Sequence, residues 1–300
     1  MTTTSEYEDL LETARAAARA AAEVHRRYLG KVRVEDWSEK GGSDFVTHVD
    51  REAESRILEI VTSRHADHDI LAEEAATAGG NGPAGAAPAE RDEPAAAPAG
   101  GDPFRPVPST DPRAAEWLWV IDPLDGTTNY LHGYPMYAAS IAVVHRGEPV
   151  AAAIVSGATG EEWTAVRGGG AFKDGAPIRV SAIDRLPLAL VGTGFPFKTP
   201  HELPRYLRQL DAMLRRTSGV RRGGSAAIDL CHLATGYLDG FWELTLAPWD
   251  YAAGALLVRE AGGVITRVDG SPLDLRSGGS VLAGNPTIHA EMLKLLGSLD

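Results

Sequence analysis

The segment Trp119–Asn129 carries the residues with the clearest chemistry, and it reads Trp-Val-Ile-Asp122-Pro-Leu-Asp125-Gly-Thr-Thr-Asn. Two carboxylates, Asp122 and Asp125, follow an apolar run. Pro123 fixes one backbone angle and Gly126 permits a sharp turn, so the two acids can converge at the end of a strand. Converging carboxylates repel each other without a cation, and hard oxygen ligands of this type suit Mg²⁺.

Acids stand in comparable positions in two further segments. Glu73 and Glu74 end the short apolar stretch 69–72, and Asp250 lies at the start of a predicted helix. Taken singly, such acids are explained by turns, by helix caps or by exposed surface charge. Acidic ends in three separate segments together favour a metal cluster.

These motifs resemble those of the inositol monophosphatase family. The resemblance rests on Ala72-Glu73-Glu74, on the W-x-I-D-P-x-D-G-T-x-N run at 119–129 and on the Pro-Trp-Asp-Tyr-Ala-Ala-Gly run at 248–254. Secondary signatures lie at 192–196 and 223–227. The similarity covers nearly the whole chain apart from an Ala/Pro/Gly-rich insertion.

The resemblance implies a set of metal ligands. Glu73, Asp122 and the backbone carbonyl of Leu124 would hold a first Mg²⁺ ion. Asp122, Asp125 and Asp250 would hold a second ion. A third, weaker ion would lie near Glu73, so the family implies two or three Mg²⁺ ions per site.

The resemblance also implies catalytic roles. Thr127 would orient the attacking water with support from Asp50, which matches the last aspartate of the family's D-x-V-T-x-x-D stretch at 44–50. Glu73 would take part through its metal. The backbone amides of Gly126 and Thr127, at the N-terminus of a helix, would bind the phosphate.

Substrate contacts are implied for a further set of positions, of which Glu243 has a competing interpretation as a surface acid at the end of a strand. The implied substrate-binding residues are Asp125, Gly126, Thr127, Ser225, Ala226, Glu243 and Asp250.

The implied reaction is hydrolysis of a phosphate monoester of a small polyol or sugar. A phosphate monoester is dianionic and repels water, so cations are needed to neutralise charge, to acidify a bound water and to stabilise the leaving alkoxide. Inositol monophosphate is the leading substrate. Histidinol phosphate, fructose 1,6-bisphosphate, adenosine 3′,5′-bisphosphate and other sugar phosphates would use the same metal core. The family further implies inhibition by Li⁺ and a homodimer.

A hypothesis of a different class is a non-catalytic regulatory or binding protein that keeps the fold, since relatives act with RNA-processing or transcription machinery. A catalytically inactive regulator is expected to have lost at least one of Glu73, Asp122, Asp125 or Asp250, and all four acids are present. The intact acids therefore favour an enzyme.

Bulk properties narrow the class of protein. The formal net charge of −12 argues against a nucleic-acid partner, because affinity for a phosphate backbone needs surplus Lys and Arg. A lone cysteine, Cys231, excludes an intrachain disulfide and a thiolate zinc site. No signal peptide and no run long enough to span a bilayer is visible, so we predict a cytoplasmic protein without a membrane segment.

The acids must be positioned by an α/β fold, for which the resemblance implies a layered α/β/α/β/α sandwich. Periodicity and capping signals predict helices near 5–30, 51–65, 201–216, 226–235 and 251–261 and after Asn285. Apolar runs predict strands near 117–121, 138–144, 150–155, 188–191, 240–244, 264–268 and 281–283, with extended structure at 165–180. We predict a mixed N-terminal half at 1–183 and an alternating C-terminal half at 184–300.

Residues 75–115 are rich in Ala, Gly and Pro and poor in large apolar side chains, which predicts a disordered insertion. The insertion separates Glu73 from Asp122 by more than the family's usual spacing and puts the placement of Glu73 in doubt. The stretch before Asp44 matches the family's basic loop only in part, which leaves Lys40 as a weak candidate for phosphate contact.

Overall fold

The computed structural model of the chain describes residues 4–33, 37–41, 44–78 and 115–299. The α-helices in these ranges are α1 (Thr4–Tyr28), α2 (His48–Arg64), α3 (Glu73–Ala78), α4 (Thr127–Leu131), α5 (Leu203–Leu214), α6 (Ala226–Ala234), α7 (Pro248–Glu260) and α8 (Pro286–Gly297). Among the described residues, no helix is both long enough and apolar enough to cross a bilayer.

The strands of the described ranges form two large sheets and one hairpin. The hairpin pairs β1 (Ser38–Gly41) with β2 (Asp44–Val46). The first large sheet contains β3 (Asp69–Ala72), β4 (Trp117–Asp125), β5 (Ala138–His145), β6 (Glu148–Ser156), β7 (Glu162–Val166), β8 (Gly170–Lys173) and β9 (Ala176–Pro177). The second contains β10 (Leu190–Thr193), β11 (Gly219–Arg221), β12 (Gly240–Leu246), β13 (Val264–Thr266) and β14 (Gly279–Gly284).

The two large sheets differ in topology. In the first sheet the strands run in the order β3 to β9, and only the β3–β4 pair is parallel. In the second sheet the order is β11-β10-β12-β14-β13, with β10 parallel to both of its neighbours and β14 antiparallel to β12 and β13. Along the chain, strands and helices alternate from β10 to β13, and β14 and α8 follow.

The layers follow from which faces carry apolar side chains. Helices α1 and α2 pack on one face of the first sheet, and α6 and α7 fill the space between the two sheets. Helices α5 and α8 cover the outer face of the second sheet. The predicted α/β/α/β/α sandwich is confirmed.

Strand β4 shows why its sequence is apolar at consecutive positions. Successive side chains of a strand point to opposite faces. Trp119 and Ile121 pack in the core beneath α1 and α2, whereas Leu118 and Val120 pack in the core against α6 and α7. Because helices cover both faces, neither face of β4 can be polar until the acids begin.

Two predicted boundaries near the acids were wrong. Helix α2 begins at His48 rather than near Arg51, and its N-cap is Thr47; Asp50 lies in the first turn. Strand β4 does not end before the acids but continues to Asp125, with a break in its pairing with β5 between Asp122 and Asp125. In both places a hydrogen-bonded carboxylate lies within a helix or strand, whereas the sequence pattern predicted that it lies just outside that element.

Other local predictions are confirmed. The β5–β6 hairpin turns at Arg146 and Gly147, which have φ values of 51° and 85°, as a tight two-residue connection requires. Asn285 caps α8 by accepting hydrogen bonds from the amides of Thr287 and Ile288. The short strands β1, β2 and β11 were not predicted, because three or four residues carry too little periodicity.

Most of the predicted insertion, residues 79–114, lies outside the described residues. At its edges, the chain from Ala75 to Ala78 completes α3, and Ala115 is buried in the core. The proposed division at 183/184 falls between β9 and β10.

The packing of α6 on α7 yields a stability prediction. An ideal Cβ on Gly254 would lie 2.5 Å from Leu230 Cδ1 and 2.6 Å from its Cβ. We predict that Gly254→Ala lowers the free energy of unfolding by about 1–3 kcal/mol, because overpacking outweighs the better helix propensity of alanine.

The matched control for this prediction is Gly297→Ala at the end of α8, where an added Cβ meets no atom within 4 Å. Urea unfolding should show no loss of stability for the control. Equal losses in the two variants would contradict the packing argument.

Candidate metal centre and active site

Three carboxylates from β4 and α7 converge in the structure. Asp122, Asp125 and Asp250 each offer one oxygen, and these oxygens lie within 4.8 Å of one another. Asp122 is buried, and the other two are partly buried. The group contains hard oxygen donors only, which is the donor set that Mg²⁺ prefers, so the residues present fit that ion.

Backbone and hydroxyl donors hold the two acids of β4. The amide of Leu124 donates to Asp122 Oδ1 at 3.0 Å. The hydroxyl of Ser225 and the amide of Ala227 both donate to Asp125 Oδ2, at 2.5 and 2.8 Å. Asp125 is therefore fixed to the first turn of α6, across the interface between the two sheets.

Asp250 is held within its own helix. The amide of Ala247 donates to Asp250 Oδ2 at 2.7 Å at the start of α7. The predicted interaction of Asp250 with the N-terminus of its helix is thus present, yet the same residue also belongs to the carboxylate group. The local and the metal-binding interpretations of this aspartate are compatible.

Burial and mutual repulsion make these carboxylates reluctant to ionise together. Burial, followed by the charges of Glu73, Asp125 and Asp250, raises the pKa of Asp122 well above its usual range. Burial also raises the pKa of Asp125 to about 6 and that of Asp250 to about 7. A divalent cation would offset both the desolvation and the repulsion.

Glu73 lies at the start of α3 and is buried. It stands outside the group of three oxygens, but its charge contributes to the raised pKa values of Asp122, Asp125 and Asp250. The long segment between Glu73 and Asp122 has therefore not separated them in space, because β3 and β4 are paired strands.

Thr127 and Asp50 form a hydrogen-bonded pair beside the carboxylates. Thr127 Oγ1 lies 3.0 Å from Asp50 Oδ1 and 3.0 Å from the carbonyl oxygen of Leu124. The other oxygen of Asp50 accepts hydrogen bonds from the amide and the hydroxyl of Thr47, at 2.8 and 2.7 Å. Burial is the main cause that raises the pKa of Asp50.

Gly126 occupies the position before α4 with a φ of 87°. An added Cβ would also lie 2.7 Å from the carbonyl oxygen of Met136. Only glycine fits both constraints. The turn thus leads directly from Asp125 into the first amides of α4, which lack acceptors inside the helix.

Glu243 on β12 lies close to the same group. Its carboxylate fills the space beside Gly194, where an added Cβ would come within 2.1 Å of Oε2. Burial, followed by the charges of Asp250 and Asp229, raises the pKa of Glu243 well above its usual range. Ser225 and Ala226 lie at the start of α6, where the Ser225 hydroxyl is bonded to Asp125.

Sequence reasoning missed two cations and one acid near the site, namely Lys198, Arg222 and Asp229. The charge of Lys198 opposes the rise in the pKa values of Asp125 and Asp250. The charge of Arg222 opposes the rise in the pKa values of Glu243 and Asp229. Arg222 also lies over the rings of Phe195 and Phe197, at 5.1 and 5.4 Å. Lys198 stands two residues beyond the Gly-Thr-Gly-Phe-Pro signature, which was the available signal. The side chain of Lys40, the weak candidate for phosphate contact, lies outside the part of the chain that the structure describes.

The chain is similar to known proteins along nearly its whole length. The sequence model of the inositol monophosphatase family matches residues 6–299. The chain is 39% identical over 286 residues to the putative Nus factor SuhB of Neisseria meningitidis, covering 95% of this chain and 97% of that protein. It is 36% identical over 278 residues to an inositol-1-monophosphatase of Mesorhizobium japonicum, covering 93% and 92%.

The fold is also similar to that of a solved structure. The inositol monophosphatase from Anabaena (Nostoc) superposes with a TM-score of 0.76 at 33% identity, covering 98% of this chain and 97% of that chain.

The carboxylate group predicts a pH-dependent affinity for Mg²⁺. Bound Mg²⁺ needs ionised ligands, and a carboxyl group with a pKa of about 7 is mostly protonated at pH 6. We predict that Mg²⁺ binds about tenfold more weakly at pH 6 than at pH 8, measured by isothermal titration calorimetry.

Variants of two aspartates test this prediction. Asp122→Asn should abolish the binding and, in EDTA, unfold at a higher temperature than the wild type because repulsion is relieved. Asp184→Asn is the control, since the Asp184 side chain is 78% exposed. Equal affinity at both pH values, or wild-type binding by Asp122→Asn, would contradict the assigned ligands.

Proposed function

This chain belongs to the inositol monophosphatase family, and on that premise we propose that it is a Mg²⁺-dependent hydrolase of phosphate monoesters of small polyols or sugars. The observation that carries the proposal is the convergence of Asp122, Asp125 and Asp250 within 4.8 Å beside the Thr127–Asp50 pair. A group of closely spaced acids beside a hydroxyl and the first amides of a helix suits a dianionic substrate only when cations are bound.

We propose the following distribution of ligands. Glu73, Asp122 and the carbonyl oxygen of Leu124 would hold one Mg²⁺, and Asp122, Asp125 and Asp250 would hold a second; a third, weaker ion would lie near Glu73. When bound, these ions supply charge neutralisation, a more acidic water and stabilisation of the leaving alkoxide. Support comes from the pKa of Asp122, which is raised by burial and then by the charges of Glu73, Asp125 and Asp250.

Thr127 and Asp50 are proposed to orient the attacking water. The Thr127 hydroxyl has one proton and two acceptors at 3.0 Å, Asp50 Oδ1 and the Leu124 carbonyl. Whichever acceptor takes that proton, a lone pair of Oγ1 remains to accept a hydrogen bond from water. Because Thr47 binds the other oxygen of Asp50, Asp50 Oδ1 is held in place beside the Thr127 hydroxyl.

The remaining predicted residues are proposed to bind substrate. The amides of Gly126 and Thr127 bind the phosphate at the start of α4. Asp125, Ser225, Ala226, Glu243 and Asp250 surround the polyol, and the nearness of Glu243 to Asp250 supports this arrangement.

Inositol monophosphate is the substrate we propose first, and the name of the Mesorhizobium relative supports it. Histidinol phosphate, fructose 1,6-bisphosphate, adenosine 3′,5′-bisphosphate and other sugar phosphates remain alternatives, since they require the same metal core and differ in the groups that meet residues such as Glu243. Substrate choice therefore depends on the polyol contacts rather than on the metal ligands.

A regulatory role is the second candidate function, favoured by the similarity to a protein named a putative Nus factor. The retained acids Glu73, Asp122, Asp125 and Asp250 favour catalysis over a purely structural role. The two functions are compatible in one molecule.

We also propose a homodimer that acts in the cytoplasm. Large apolar side chains are exposed along α5, at Leu203, Leu207 and Leu214, and a face of this kind is suited to a protein contact. The single Cys231 is buried and free, which suits a reducing compartment.

A substrate panel tests the proposed reaction. We predict Mg²⁺-dependent phosphate release with a kcat/KM for inositol 1-phosphate at least about tenfold above those for histidinol phosphate, fructose 1,6-bisphosphate and adenosine 3′,5′-bisphosphate, because the polyol site hydrogen-bonds specific hydroxyls. Li⁺ should inhibit the release. Asp122→Asn serves as the inactive control, and metal-dependent release from none of these substrates would exclude them and leave either a sugar phosphate outside the panel or the regulatory candidate.

The Thr127 hydroxyl gives a sharper test of mechanism. Thr127→Val should lower kcat about 100-fold, the range expected for loss of a group that positions a proton transfer, with little change in Mg²⁺ binding. Thr127→Ser keeps the hydroxyl and should recover most of kcat. Steady-state kinetics at saturating Mg²⁺ measure both variants, and a Thr127→Val enzyme with near wild-type kcat would exclude this residue as the water-orienting group.

A further inference from the structure

His25 on α1 contacts the backbone of the turn that carries the acids. It is completely buried, and its Nε2 lies 2.8 Å from the carbonyl oxygen of Pro123. A carbonyl can only accept a hydrogen bond, so Nε2 carries the proton. The imidazole is therefore a donor to the peptide that joins Pro123 to Leu124, between two acids of the metal group.

That peptide is held from both of its ends. Its carbonyl oxygen accepts from His25, and its N–H, which belongs to Leu124, donates to Asp122 Oδ1 at 3.0 Å. A peptide unit is planar, so fixing both atoms fixes its rotation. That orientation directs the Leu124 N–H at the Asp122 carboxylate and fixes the Cα of Leu124, from which the chain continues to the Leu124 carbonyl.

The surroundings of His25 are shaped to keep the ring in this orientation. An ideal Cβ on Gly157 would lie 2.7 Å from His25 Nδ1 and 2.6 Å from Tyr137 Cε2. Tyr130 donates its hydroxyl to the backbone carbonyl of His25 at 3.0 Å, which fixes α1 at this point. Burial lowers the pKa of His25 to about 4, so the ring stays neutral at neutral pH.

We propose that His25 is a positioning residue for the metal centre, which orients the Pro123–Leu124 peptide so that Asp122 and the Leu124 carbonyl present their oxygens to Mg²⁺. The inference rests on the proposed function only for the identity of the ion. His25 lies behind the turn and contacts no reacting group. Its effect reaches the ion through the peptide, as hydrogen bonds to ligands commonly do, and their loss weakens metal affinity about 10- to 100-fold.

The experiment compares equilibrium Mg²⁺ binding and urea unfolding at pH 8 for four variants of the full chain. His25→Leu keeps the bulk and removes the donor, whereas His25→Gln keeps an N–H donor. Gly157→Ala retains the histidine at position 25, but the added Cβ should displace its imidazole ring. Thr235→Val is the stability control, since it removes the acceptor of the Trp163 indole at 3.0 Å at the far end of α6.

We expect His25→Leu and Gly157→Ala to bind Mg²⁺ about tenfold more weakly than the wild type in calorimetry. His25→Gln should recover much of the affinity, and Thr235→Val should lose stability with unchanged affinity. If His25→Leu does not fold, Gly157→Ala and His25→Gln decide the question. Wild-type affinity in Gly157→Ala or His25→Leu would overturn the proposal.

Binding and activity separate the two proposals. A wild-type chain that binds Mg²⁺ but hydrolyses none of the panel substrates would overturn the proposed reaction for those substrates, while the affinities of the variants would still decide the role of His25. A wild-type chain that binds no Mg²⁺ would overturn both.

Discussion

Repulsion among carboxylates that lie close together is the constraint on which this structure depends. Asp122, Asp125 and Asp250 hold oxygens within 4.8 Å of one another, and Glu73 adds its charge to theirs. In water such a group would separate, so the fold must hold it in place. The group is tolerated because backbone and hydroxyl donors bind individual oxygens. The site also suits a divalent cation, which would offset the repulsion among the acids.

The layered architecture is the means by which the acids are held together. Asp125 ends a strand of the first sheet, yet its carboxylate is bonded to Ser225 and Ala227 at the start of α6. Asp250 begins α7, which packs beside α6 between the two sheets. The geometry of the site therefore depends on how α6 and α7 pack in the middle layer.

The part of this arrangement that is visible in the sequence is the local part. Apolar runs predicted β4 and its neighbours because both faces are buried. The acids at 73, 122, 125 and 250 were identified because they lie at the ends of three separate segments. The structure brings Asp122, Asp125 and Asp250 together and places Glu73 beside them. Boundaries failed where a side chain bonds to the backbone within an element, as Asp50 does in the first turn of α2. Lys198 was missed although it lies two residues beyond the signature at 192–196, and Arg222 was missed because only tertiary packing brings it near Glu243.

His25 marks the limit of sequence reasoning most clearly. In an Ala-rich helix it looks like one more residue of an apolar face, and nothing near it in the chain suggests a role, because its partner lies 98 residues away. The sequence around Gly157 also gives no sign of a role, although its lack of a side chain leaves space for the imidazole. Acidic residues that bind a metal can be identified in a sequence by their residue type. Residues that only orient a peptide act through a single tertiary contact, which the sequence does not reveal. The accuracy of a metal site thus depends on positions that only the three-dimensional structure identifies.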